Sequence, residues 1–290
     1  MSESKVSVVI PFYSDTPGRL LKAVNSALSQ TISVEVIVVD DASPISAESE
    51  LISLADDSRL TVIRHNTNTN GGVARSTGIK NATGEFIAFL DYDDFWYSEK
   101  LELQLDLYKK NACRVKEPEK IVIYSRCFIV DGKRRLLRPK RAMLENESVS
   151  DYLFCEKQII QTSGIFLRAT TAKFVGFDNL KRHQDYQFCL SLESIGCKFF
   201  MLEQPSYEFV QVPKLNDYNF SIKWLQQYGK YLTTDANRGF KSLVLLRSMV
   251  SHWHIRKAFT FAVKQHLISD FLKILFIQLV KKILIIIRTI

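Results

Sequence analysis

"EFIAFLDYDDFW", residues 85–96, runs an apolar segment straight into three carboxylates, Asp91, Asp93 and Asp94. A short apolar run closed abruptly by polar residues has the pattern of a buried strand. Acids crowded at its end repel one another, and a cation placed among them removes that cost. The stretch therefore predicts a strand whose tip meets a cation, and the segments around it decide what kind of sheet it belongs to.

Upstream, "VSVVIPFY" (6–13) and "VEVIVVDDAS" (34–43) are two more apolar, β-branched runs, the second again ending in acids. "RLTVIRH" (59–65) is a third, shorter one. Between them, residues 17–31 carry apolar side chains at 20, 21, 24, 27 and 28, a helical period, and residues 47–56 have helical composition. The polar, Gly-rich stretch 66–84 reads as a loop opening into a short helix before the fourth strand. Strands that alternate with helices predict a three-layer α/β/α sandwich, Rossmann-like, around a mainly parallel sheet. In such sheets ligands bind beyond the carboxyl ends of the strands. Three of those ends carry polar groups: Ser14 and Asp15, Asp40 and Asp41, and the Asp91 cluster.

Beyond Trp96, residues 98–110 predict a helix capped by Ser98. Residues 120–131 predict a strand followed by a basic hairpin, "GKRRLLRPKR", and residues 182–202 a helix and then a strand. Five scattered cysteines without a C-x-x-C pair argue against a disulfide framework or a zinc site and fit a reducing compartment. The first ten residues lack the pattern of a secretory signal.

The net charge of +8 is unevenly placed. Residues 213–290 hold thirteen Lys/Arg against three Asp/Glu, whereas the preceding part is slightly acidic. A nucleic-acid enzyme would more often spread its basic residues around the active region. Here the basic part is also the most apolar. Residues 266–290 have no uncharged run longer than seven or eight residues, too short to span a bilayer. On a helical wheel Lys273, Lys281, Asp270 and Arg288 share one sector, with Lys282 at its boundary and Leu272, Leu275, Leu279, Ile283 and Ile286 opposite. That pattern predicts a basic amphipathic helix lying on a membrane surface, with packing on the protein itself or on a partner as the alternative.

Two carboxylates in a D-x-D spacing at a strand end can hold a hard divalent cation such as Mg²⁺ or Mn²⁺, which leaves positions open for phosphate oxygens. Taken together, "VSVVIPFYS", "VEVIVVDDAS", "NGGVARSTGIKNATGEFIAFLDYDDFW" and "GIFLRATTAKFVGFDNLKRHQDYQFCLSLESIGCKF" resemble the family 2 glycosyltransferases, inverting enzymes of GT-A fold that use nucleotide-sugar donors. The pieces occur in the family's order and cover most of residues 5–202.

The resemblance implies a role for each piece. Pro11, Phe12 and Tyr13 would line the base pocket and Asp41 would accept from the base, most naturally uracil. Arg75 and Tyr92 would sit near the nucleotide, and Asp91 near the ribose or the metal. Asp93 would ligate Mg²⁺ or Mn²⁺ bridging the diphosphate, and Asp185 would be the general base. Trp96, His183 and Gln184 are candidates for acceptor or phosphate contacts; for Trp96 the first reading is a wall packed near the site, and for His183 a structural hydrogen bond. Asp94 is as well placed to cap the next turn as to bind metal. The chain has Gln184 where the family more often has Glu, and Ser76 where Asn is commoner.

The implied division is a nucleotide-sugar-binding half (1–105), an acceptor-binding half of the same domain (106–212) and a basic helical extension (213–290). The implied partners are a nucleotide sugar, a glycan or lipid-linked acceptor and a membrane surface, at the cytoplasmic face of the cell membrane, in surface-polysaccharide synthesis. A D-x-D phosphotransferase of the haloacid dehalogenase type fits poorly, because its aspartates follow the first strand. A non-catalytic nucleotide-binding module is the remaining alternative, and the joint presence of Asp41, Asp91, Asp93 and Asp185 counts against it.

Overall fold

The computed structural model describes residues 4–132, 134–211 and 217–289, with side chains described as far as Leu284. Nine strands form one sheet: β1 (Val6–Phe12), β2 (Val34–Asp40), β3 (Leu60–Arg64), β4 (Phe86–Phe89), β5 (Phe95–Trp96), β6 (Ile121–Asp131), β7 (Arg134–Arg138), β8 (Phe166–Arg168) and β9 (Lys198–Val210). Their order is β3-β2-β1-β4-β8-β6-β9-β5, with β7 paired to β6. The four strands expected from the N-terminal pattern are there and pair in parallel.

Most of the pairing in the sheet is parallel, as expected, and antiparallel strands enter it beyond β4. β8 runs antiparallel to both β4 and β6, and β6 pairs in parallel with β9. Pleating explains why both faces are covered. Val6, Val8, Ile10 and Phe12 point into one core together with residues of α1 (Leu20–Leu28), α2 (Ala47–Glu50) and α4 (Lys100–Ala112). The alternate positions point the other way. Val9 faces α3 (Gly71–Asn81), and Phe89 meets Phe177 and Phe188, which flank and belong to the pair α6 (Ala169–Val175) and α7 (Gln184–Ser194). The helix expected at 47–56 is only one turn of α-helix followed by a 3₁₀ turn, and α4 begins one residue after Glu99, with no side-chain cap from Ser98.

The antiparallel entry of β8 is what builds the site. Because β8 starts where β4 ends, the turn before it, Thr162–Gly164, lies against the residues that follow β4. The hairpin after β6 is formed as expected, and Arg135 there pairs with Glu208 at 2.7 Å and lies over the Phe128 ring.

The chain divides into two compact units. Met1–Val149 and Gln158–Gln211 make the first; Ser150–Lys157 and Val212–Ile290 make the second. The second is helical, with α8 (Tyr218–Tyr228), α9 (Thr234–Phe240), a π-helical turn at Lys241–Leu246, α10 (Arg247–Ser251), α11 (Ile255–Lys264) and α12 (Ile268–Thr289), plus the end of α5 (Val149–Phe154). Its core holds Trp224 stacked on Tyr228 and Phe240, and Phe154 edge-on to Phe240. Among the described residues no helix is long and apolar enough to cross a membrane.

Gly78 marks how tightly α3 sits on the sheet: a Cβ there would lie 2.3 Å from Val9 Cγ1. Glycine to alanine inside a helix ordinarily stabilises by about 1 kcal/mol. Here Gly78→Ala is expected to destabilise by about 1–3 kcal/mol, because overpacking outweighs propensity; urea denaturation of the variant measures the sign.

Candidate active site

Three strand ends and the turn before β8 converge. After β4, Asp91 directs its carboxylate inward. It forms an ion pair with Arg75 of α3 and accepts from Thr162 Oγ1 (3.2 Å) and Gln161 Nε2 (3.0 Å). Arg75 is buried and reaches in the other direction as well, donating from Nη1 to Gln184 Oε1 at 2.5 Å. One guanidinium thus joins the end of β4 to the first residue of α7, an arrangement suited to its planar fork of donors. Its Nε–H finds no acceptor among the described residues.

Asp94 lies deeper. It accepts from Ser163 Oγ (2.6 Å), Gln161 Nε2 (3.2 Å) and the Val210 backbone N–H (3.0 Å). Burial, together with the neighbouring Asp91 and Asp93, pushes its carboxyl well above the usual range. Asp94 is therefore a structural knot that ties β4, the turn before β8 and the end of β9. Asp93 and Asp91 are about equally exposed, at 21% and 23% of their side chains, and Asp93 has Arg19 Nη1 at 3.8 Å. The D-x-D pair read from the sequence as a cation site meets two arginines in the structure, Asp91 with Arg75 and Asp93 with Arg19.

The β2 end separates its two acids by function. Asp40 accepts from the backbone of Ser43 and Ala47 and pairs with Arg64, so it holds the loop after β2. Asp41 accepts from the Thr69 N–H (2.9 Å) and hydroxyl (2.7 Å) and from His65 Nδ1 (2.8 Å). Burial works to raise its pKa, but the bonds from His65 and Thr69 prevail and hold it below the ordinary carboxylate value. Asp41 stays ionised, and its Oδ2 carries only the Thr69 amide at 3.0 Å among the bonds described, which leaves that oxygen able to accept another.

Several expected contacts are corrected by burial. Pro11 and Phe12 are buried strand residues, and the Phe12 ring packs edge-on against Tyr92 at 5.4 Å; of the three residues expected around the base, Tyr13 alone offers an exposed ring, at 47%. Trp96 is 1% exposed, donates its indole N–H to the Ser163 carbonyl and carries the Lys100 ammonium 3.8 Å from its ring centroid. It is core and not a sugar platform. Gln184 is taken up by Arg75 and by the Leu180 carbonyl, which removes it from the acceptor contacts.

His183 precedes α7 in the left-handed region, at φ 62°, and stacks on Tyr186. Burial and the nearby Arg182 lower its pKa to about 4, so at neutral pH it is an uncharged imidazole and supplies no positive charge to a phosphate. Ser76, the departure from the commoner Asn, is structural: its hydroxyl donates to the Phe177 carbonyl and accepts from the Phe177 N–H.

Asp185 sits in the first turn of α7, half-buried. Burial raises its carboxyl to about 6; the Tyr186 N–H and Arg75 pull the other way. The helix geometry puts it one residue beyond the Gln184 anchor, so its position is set by the Arg75 bridge. The reading of the sequence missed that bridge and the Gln161–Thr162–Ser163 turn. The only trace of the turn in the sequence is a polar Q-T-S-G interrupting two apolar runs.

A divalent cation fits the chemistry of the donor set in one respect. Asp93 offers a hard carboxylate oxygen, while Asp91 has lone pairs beyond those it gives Arg75, Gln161 and Thr162. Among the described residues no cluster of three or more His, Cys, Asp or Glu side chains stands ready to hold a metal. A cation here would depend on donor oxygens and water for most of its ligands.

Residues 7–170 match the family described as Glycosyl transferase family 2. This chain belongs to that family. The relative named amylovoran biosynthesis glycosyltransferase AmsB, from Erwinia amylovora, is 31% identical over 245 residues, covering 80% of each chain. The glucosyltransferase WfgD of Escherichia coli, named for transfer from UDP-Glc to α-D-GlcNAc-diphosphoundecaprenol, is 34% identical over 112 residues, 38% of this chain and 44% of that protein. The structure of S. aureus TarS 1–349 with UDP-GlcNAc superposes with a TM-score of 0.62 at 18% identity, over 93% of this chain and 90% of that one. The TarS likeness shows a shared fold, and the GT-A architecture implied by the sequence is the one this glycosyltransferase has.

Replacing Arg75 by Met should cost roughly 2–4 kcal/mol, because it leaves the Asp91 carboxylate without its cation. Chemical denaturation of the variant at neutral pH measures that loss.

Proposed function

We propose that the protein transfers a hexose or N-acetylhexosamine from a UDP-sugar to a lipid-linked or growing glycan, with inversion, using Asp185 as general base. The observation that carries this is the separation of two carboxylate centres by Arg75: Asp91 and Asp93 at the strand ends, and Asp185 on the helix beyond. In an inverting transfer the acceptor hydroxyl attacks the anomeric carbon opposite the leaving diphosphate, so its proton must be removed on a side away from the leaving group. Asp185, with a pKa near 6, is mostly ionised at neutral pH yet basic enough to take that proton.

Asp41 would accept from the base N3–H, Tyr13 would lie against the base, and Tyr92 and Arg75 would border the ribose and diphosphate. Mg²⁺ or Mn²⁺ at Asp93, with Asp91 behind it, would supply charge neutralisation for the departing diphosphate. Support for the donor class comes from the UDP-Glc named for WfgD and the UDP-GlcNAc bound by TarS. Support for the acceptor class comes from the diphosphoundecaprenol named for WfgD and the polymer synthesis named for AmsB.

Membrane attachment through α12 belongs to the same reading. Leu272, Phe276, Leu279, Val280 and Ile283 form an exposed apolar stripe, Phe276 at 67%. Lys282 lies over the Trp253 ring at 4.6 Å, an aromatic–cation pair suited to the headgroup level. Arg288, also expected at the surface, lies outside the described side chains. The protein would then work as a peripheral enzyme on the cytoplasmic face.

The test is release of UDP from a panel of UDP-sugars with Mn²⁺ or EDTA. Asp93→Ala should abolish the metal-dependent part. Asp185→Asn should lower transfer to acceptor by roughly 10²–10⁴-fold while donor binding persists. Only the deprotonated carboxylate is a base, so kcat/KM should fall about tenfold per pH unit below about 6 and level off above it. A pH profile without that inflection, or an active Asn variant, would remove Asp185 from the mechanism. For the membrane reading, Phe276→Asp with Ile283→Asp should weaken partition onto anionic vesicles more than tenfold, since each buried large apolar side chain is worth about 1.5–3 kcal/mol.

A further inference from the structure

The second compact unit contains a cavity of about 540 Å³ that the glycosyl-transfer site does not use. Its wall is partly α12. Asp270, Lys273, Ile274, Ile277, Gln278 and Lys281 recur at the three- and four-residue spacing that puts them on one face of that helix. This is the face opposite the exposed stripe of Leu272, Phe276, Leu279 and Ile283. The other walls come from the end of α5, from α9 and from the π-helical turn into α10.

Charge in the cavity is one-sided. Lys157, Arg238, Arg247, Lys273 and Lys281 line it, against Asp235 and Asp270. Arg238 is fixed in place by donating to the His266 carbonyl at 3.1 Å. Between the cations lie Phe154, Leu243, Ile274 and Ile277, so the lining is both cationic and apolar. The volume falls within the roughly 300–1,000 Å³ usual for small-molecule sites. A cavity of this kind suits an anionic amphiphile better than a free inorganic ion, because the apolar wall gains nothing from the ion alone.

We propose that this cavity holds the diphosphate and the first part of the chain of a prenyl diphosphate, the carrier of a lipid-linked acceptor. The inference rests on the lipid-linked acceptor class argued under Proposed function. A diphosphate ester bears roughly two to three negative charges at neutral pH, which matches the excess of five cations over two acids. A helix lying in the interface buries its apolar side by about 5–10 Å. With the stripe of α12 so placed, the opposite face stands at the level of lipid phosphates.

The test uses the full-length protein and soluble farnesyl diphosphate as probe, with inorganic pyrophosphate and farnesol as comparators, followed by thermophoresis. Saturable binding of farnesyl diphosphate at least tenfold tighter than of either comparator is expected. Lys273→Glu with Lys281→Glu should weaken it at least tenfold. Because both lysines are exposed on α12, the fold should survive; Arg247→Gln, a milder change, provides a second variant expected to weaken binding in the same direction. Equal affinity for pyrophosphate would overturn the proposal in favour of a plain anion site. Binding that neither variant changes would overturn it as well, as would attachment to anionic vesicles without any binding of farnesyl diphosphate. Binding and hydrolysis of UDP-GlcNAc are measured on the same wild-type sample. Donor turnover without farnesyl diphosphate binding refutes the carrier site alone, whereas loss of donor binding counts against the donor reading.

Discussion

Arg75 is the residue on which the site depends. Its guanidinium is buried, and a buried cation is tolerable only if its partners are close and well aligned. Asp91 at the end of β4 and Gln184 at the start of α7 meet that demand from two parts of the chain that are far apart in sequence. Satisfying the charge therefore fixes the distance between the strand end and the helix that carries Asp185. That Gln184 is neutral matters here. A second carboxylate at that position would add negative charge next to Asp185 and favour its protonated form.

The neighbouring carboxylates divide labour by their partners, and one of them also by depth. Asp94 is deepest and is bonded to Ser163, Gln161 and the Val210 backbone, so it belongs to the scaffold. Asp91 and Asp93 are both partly exposed; Asp91 engages Arg75, and Asp93 has Arg19 near it. Asp94 thus belongs to the core, while Asp91 and Asp93 share the same partial exposure and differ in the cation each one meets. Below them Lys100 is sealed under Trp96 and bonded to Gln104, which in turn donates to Ser125 and to the Gly164 carbonyl. Burial pushes its ammonium well below the ordinary lysine range, so the layer under the acids carries little charge of its own.

Much of this architecture was legible in the sequence because it is written in periods. The runs at 6–13, 34–43, 59–65 and 85–91 alternate with helical spacing, and buried parallel strands leave that signature. The acids at the strand ends were equally visible, since carboxylates directly after apolar runs are conspicuous. What periodicity does not encode is pairing between distant segments. β8 is three residues long and sits inside a mixed stretch, so its antiparallel placement, and with it the turn that binds Asp91 and Asp94, has no local mark. The same holds for Trp96 and Gln184. Their side-chain types suggested contact with ligand, and only the identity of the neighbours, Ser163 and Arg75, shows that the contacts are internal. Lys273 and Lys281 were legible as one polar sector, but not as the wall of a cavity.

The second unit is not continuous in sequence: Ser150–Lys157 belongs to it, although that segment comes before more than fifty residues of the first. During synthesis the N-terminal portion of a chain leaves the ribosome first and begins to fold as it does so. The edge-on contact between Phe154 and Phe240 cannot form until Phe240 has emerged. Gly239 sharpens this dependence, since a Cβ there would stand 2.4 Å from the Phe154 carbonyl oxygen, and the late helix closes directly onto the early segment's backbone. Assembly of the helical unit is in this way deferred until α9 has been made, and the stretch around Phe154 gains from shielding until then.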